Sequence, residues 1–123
     1  MNITDKVKSF EDACQLLGIK PDVPKVSLLP EKHQKAIVAH YKLIIITETL
    51  NEGWTPDWSN WNERKYYPWF EMSDSSGRFS FGHSAYQRSH STCAVRLCLK
   101  TWELANYIGE SFIDLYKDYF IID

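Results

Sequence analysis

The clearest hydrophobic period lies towards the C-terminal end of the chain. Ala105, Ile108, Phe112, Leu115 and Tyr119 step by three and four, which predicts a helix from about Trp102 to Phe120. Thr101 is placed to cap it, Glu103 sits in its first turn, and the first four of these apolar residues are its expected buried stripe. Gly109 inside that helix costs about 1 kcal/mol relative to alanine, a cost that a close packing contact would explain. At the other end, Phe10, Ala13, Cys14 and Leu17 repeat at helical spacing between a capping Ser9 and a terminating Gly18, predicting a short helix over Ser9–Leu17. Pro21 and Pro24 make the following stretch an extended connector. Pro30 then opens a long helix to about Asn51, with Ile37, Tyr41, Ile44 and Glu48 on one face of a wide apolar band.

Period two takes over after an irregular, tryptophan-rich stretch from Gly53 to Lys65. Tyr66 to Met72 is a strand candidate, Ser73 to Gly77 a polar turn, and Arg78 to Ser84 an alternating strand, together an antiparallel hairpin. On that alternation Phe79, Phe81 and His83 share one face. Tyr66, Phe70 and Met72 point inward, because an unpaired Glu71 is costly to bury; Tyr67 and Trp69 point outward on the side of Arg78. Ala85 to Thr92 has no clear pattern. Ala94 to Leu99 alternates again, with Val95, Leu97 and Leu99 inward and Arg96 and Cys98 outward. The expected fold is α+β: one domain over residues 1–123, with a small antiparallel sheet, a hairpin plus one strand, covered on one face by three helices.

A resemblance rests on the centre of the chain. Leu50-Asn51-Glu52-Gly53-Trp54, Pro56-Asp57-Trp58 and Lys65-Tyr66-Tyr67-Pro68-Trp69-Phe70 resemble a group of small uncharacterised proteins carried by gut bacteria and their phages. Arg96 to Thr101, Glu103 to Ala105 and Leu115 to Lys117 fit the same group. The resemblance implies a bacterial or phage cytoplasmic context and brings no activity with it.

Composition changes this picture in one respect. Hydrophobic residues are 44% and charged residues 24%, as in ordinary globular domains, but aromatic residues reach 15%. A net charge of −2 argues against polyanion binding by bulk charge. No apolar run approaches the length of a membrane span, no secretion leader is expected, and three cysteines are an odd count that favours reduced thiols in the cytoplasm.

Candidate chemistry narrows by exclusion. His83, His90, Cys93 and Cys98 lack the paired spacing of a zinc site, so neither metal nor other cofactor is expected. Cys93 near His83 or His90 could form a thiol–imidazole pair, yet no third orienting group is identifiable. Glu48 and Glu52 are one helical turn apart and read as solvated charge; Glu63 and Glu71 identify no acid pair, and no glycine-rich phosphate loop exists. What remains is an asymmetry. Residues 61–100 carry six basic and three acidic side chains, against one basic and five acidic in residues 101–123. The basic region is also the aromatic one, and rings interleaved with cations suit single-stranded nucleic acid. Core packing of about half these rings is the plainer reading of the same pattern. The candidate binding residues are Trp69, Tyr67, Arg78, Arg64, Lys65, Arg88, Trp58 and Trp61. A non-enzymatic binding protein for single-stranded nucleic acid is thus the first expectation. A protein-interaction module of phage or mobile-element origin is the second, and an enzyme whose site is unreadable in sequence the third.

Overall fold

The computed structural model describes residues 2–73, 78–90 and 95–122. These residues form helices α1 (Ile3–Lys6), α2 (Phe10–Leu17) and α3 (Glu31–Leu50), strands β1 (Lys65–Glu71) and β2 (Ser80–Gln87), a 3₁₀ turn at Val95–Leu97, and helices α4 (Trp102–Ser111) and α5 (Ile113–Phe120). The architecture is α+β, with a two-stranded antiparallel sheet packed on α4 and with α3 laid against α2 and α5. Among the described residues no helix is long and apolar enough to cross a membrane.

Capping chemistry sets the helix ends. Ser9 Oγ accepts from the Asp12 amide at 3.1 Å, and Gly18 closes α2 in the left-handed conformation. Thr101 Oγ1 does the same for α4, accepting from the Leu104 amide at 3.2 Å. The single C-terminal helix expected from the period is two helices: Phe112 leaves helical geometry between α4 and α5. The break turns the second helix, so Tyr116 replaces Leu115 as the buried residue after Ala105, Ile108 and Phe112. In α3 the buried side is Ala39, Leu43, Ile46 and Leu50, whereas Ile37 and Glu48 of the expected stripe are exposed. A band that is apolar almost all round does not specify its own deepest face.

The hairpin pairs Lys65 with Gln87, Tyr66 with Tyr86 and Trp69 with His83, but Phe70 with Phe81. Gly82 is therefore an extra residue in β2, a bulge where a Cβ would lie 3.2 Å from the Trp69 carbonyl oxygen. The bulge corrects the expected alternation. His83 moves to the outward face beside Trp69, while Ser84 turns inward and donates to Asn106 Oδ1 at 2.7 Å. Met72, expected inward, lies beyond the end of β1 and is exposed. The third strand is not formed over the described residues. Val95–Leu97 is a 3₁₀ turn, and only Leu99 pairs with the sheet, through two hydrogen bonds with Tyr66 of 2.7 and 3.0 Å. Asn51, buried at the end of α3, holds this segment by donating to the Cys98 carbonyl at 2.9 Å and accepting from the Lys100 amide at 3.0 Å.

Phe70 is the centre of the sheet–helix contact, with ring centroids 4.7 Å from Tyr116, 5.0 Å from Phe79 and 5.6 Å from Phe120. Gly109 has the close contact that its place in a helix suggests: a Cβ there would stand 2.6 Å from Phe81 Cδ1 and 2.8 Å from Pro68 Cβ. The missing side chain lets α4 lie directly on the sheet.

Candidate functional site

The two strands carry mirror-image tripeptides at the same end of the sheet, Arg64-Lys65-Tyr66 and Tyr86-Gln87-Arg88. Pairing Tyr66 with Tyr86 puts Arg64 one step beyond β1 and Arg88 one step beyond β2. Alternation sends all four of these residues to the sheet face that α4 covers further along, and Lys65 and Gln87 to the other. The Arg64 guanidinium lies 4.7 Å from the Tyr86 ring centroid and that of Arg88 6.0 Å from it. Tyr86 is 46% exposed. Tyr66 stands edge-on to it at 6.1 Å and edge-on to Trp102, the first residue of α4, at 6.3 Å. Trp102 is also open to solvent. Neither guanidinium has a carboxylate partner among the described residues. Two cations share one aromatic ring there without a counter-ion among the described residues.

Lys65 does not belong to this surface. Its side chain is fully buried, and its ammonium donates to the Asn60 carbonyl at 3.2 Å, pairs with Glu63 Oε1 at 3.5 Å and lies 4.9 Å from the Trp58 ring centroid. Glu63 Oε1 also accepts from the Asp57 amide at 2.7 Å. The Ser59 hydroxyl and amide donate to the Asp57 carboxylate at 2.6 and 3.0 Å, and these bonds hold its pKa below the ordinary value. The Trp-rich segment is thus tied down by a buried ammonium and an Asx turn as much as by indoles. Trp58, half-buried over Lys65, is part of that clamp.

The other expected residues separate into different places. Trp69 is exposed and stacks on His83 at 6.1 Å, with Tyr67 tilted against it at 6.5 Å, a second ring patch on the outward face. Arg78 is not beside that patch: it precedes the start of β2, where alternation no longer applies, and lines a hollow with Met72, Phe79 and residues of α5. Trp61 is exposed and meets His90 edge-on at 5.0 Å. Tyr86 and Trp102 were not singled out by sequence reasoning. The mirrored Arg-x-Tyr and Tyr-x-Arg tripeptides were the available signal, hidden because β2 continues through a stretch without apparent pattern.

Burial pushes the Cys98 thiol up to about 11, and its sulfur accepts from Gln87 Nε2 at 3.0 Å. Cys93, and with it the pairing with His83 or His90, lies outside the described residues, as does most of the Ser73–Gly77 turn. No group of three or more potential metal ligands occurs among the described residues. No family model, curated protein or solved structure matches the chain.

Proposed function

We propose that the protein binds single-stranded nucleic acid at the patch formed by Arg64, Tyr66, Tyr86, Arg88 and Trp102. One observation carries this reading: two guanidinium groups converge on the exposed Tyr86 ring with no carboxylate partner among the described residues. Like charges held across a strand pair repel mildly, and a phosphate between them removes that repulsion. The exposed rings of Tyr86 and Trp102 offer aromatic surface beside these cations, and stacking on such rings accepts any base. Trp69 and Tyr67 group with His83, and Arg78 lines a separate hollow, so these three candidates stand outside the proposed patch. Titration of a fluorescent mixed-sequence oligonucleotide tests the placement. Tyr86→Ala is expected to weaken binding by about 1–3 kcal/mol, the worth of one stacked base, while Trp69→Ala leaves it unchanged. Equal losses in the two variants would refute the assignment.

A second reading draws on the outward patch. Exposed Trp69 and His83 form a ring cluster with half-buried Tyr67, with no cation–π contact to any of the three among the described residues. A cluster of that kind suits a protein partner, such as a host protein met by a phage-borne module.

A further inference from the structure

A cavity of about 380 Å³ lies between the C-terminal half of α3, the Trp-rich segment and the 3₁₀ turn, away from the residues assigned to nucleic acid. That volume falls in the range of small-molecule sites. Ile44, Trp54, Pro56 and Trp58 supply an apolar lining. Two opposite charges share it, Glu48 from α3 and Arg96 from the turn. No ion pair joins them, and neither has a hydrogen-bonded or ionic partner among the described residues. Thr47 also lines the cavity.

The walls are fixed before any ligand arrives. The Lys65 ammonium clamps Trp58 and the loop around it, and Asn51 holds the chain at Cys98 and Lys100. A preformed site loses little entropy on binding. Apolar walls with one cation and one anion at separate positions are complementary to a molecule that carries both charges and a hydrophobic group.

We propose that this cavity binds a free α-amino acid with an apolar side chain, its carboxylate on Arg96, its ammonium on Glu48 and its side chain among Ile44, Trp54 and Trp58. The requirement for both charges separates this ligand from a simple organic cation or a carboxylic acid.

The test uses the indole N–H signals of the five tryptophans in the ¹H–¹⁵N spectrum of the full chain, titrated with phenylalanine, 2-phenylethylamine and 3-phenylpropionate. Phenylalanine is expected to shift the Trp54 and Trp58 signals saturably and to leave Trp69 and Trp102 in place. Each single-charge analogue should bind at least about tenfold more weakly, the loss of one charge-assisted contact. Glu48→Gln and Arg96→Gln change exposed side chains and should each reproduce that tenfold loss for phenylalanine. Should either variant disturb the unliganded spectrum, the analogue series on the parent protein decides alone. No saturable shift with phenylalanine, equal binding of the amine or the acid, or shifts centred on Trp69 or Trp102 would each overturn the proposal.

Discussion

Lys65 illustrates how far a residue's role departs from its type. A lysine in a basic, aromatic stretch reads as surface charge, yet this one is enclosed by Glu63, Asn60 and Trp58. Removing one member of a buried ion pair leaves the other uncompensated, at about 3–5 kcal/mol. Glu63 is partly open to water, so Lys65→Ala is expected near the low end, about 3 kcal/mol, in urea unfolding followed by tryptophan fluorescence. A variant as stable as the parent would show the clamp to be ornamental. His40 gives a pH-dependent counterpart. Its ring stacks on Tyr119 at 4.4 Å, and burial, with the Arg96 charge second, lowers its pKa. The unfolded chain therefore takes up this proton more readily than the folded one. The histidine's contribution is intact above the ordinary value of about 6.5 and is lost as pH falls through it towards the folded value. The urea midpoint is expected to fall between about pH 7.5 and pH 5.5, and to fall less in His40→Gln. Equal falls in the two proteins would place the pH dependence elsewhere.

At the scale of elements, what could be read from sequence was what local chemistry decides. Ser9 and Thr101 as caps and Gly18 as a terminator all act within a few residues, and the structure has each of them in that role, whereas Pro30, expected as the first helical residue, stands one step outside α3 with extended backbone. The α+β class followed from two periods in one chain. Features set by distant contacts were not legible. Nothing near Gly82 announces a bulge, since the extra residue has meaning only against the Trp69–Phe70 step of the other strand. The run at Val95–Leu97 alternates like a strand but is a 3₁₀ turn, with Asn51 of another element satisfying the backbone that follows it. The same limit applies to the proposed patch: Arg64 and Arg88, both candidates from sequence, are far apart in the chain and meet only through the hairpin register. Gly109 offers a test at this scale. Alanine would gain about 1 kcal/mol of helix propensity, but its Cβ would strike Phe81 and the rigid Pro68 ring. Overpacking of that kind costs about 1–3 kcal/mol, so Gly109→Ala is expected to lower the urea midpoint. A raised midpoint would mean that α4 does not need its close approach to the sheet.

For the molecule as a whole, charge sets what the proposed activity must look like. With a net charge of −2, attraction of a nucleic acid strand cannot come from the overall field and has to be local. Affinity is then modest, with a dissociation constant of about 10⁻⁴–10⁻⁶ M, and its salt dependence reports only the few cations that touch phosphate. The sheet end supplies two such cations around Tyr86. The most direct measurement is therefore the slope of log affinity against log salt for a labelled single strand, taken on the parent and on the Arg64→Gln/Arg88→Gln double variant. Each phosphate neutralised on a single strand contributes about 0.7 to that slope, so the account predicts a flattening of about 1.4 together with weaker binding. Parent protein that does not bind at low salt, or a double variant with the parent's slope, would contradict it.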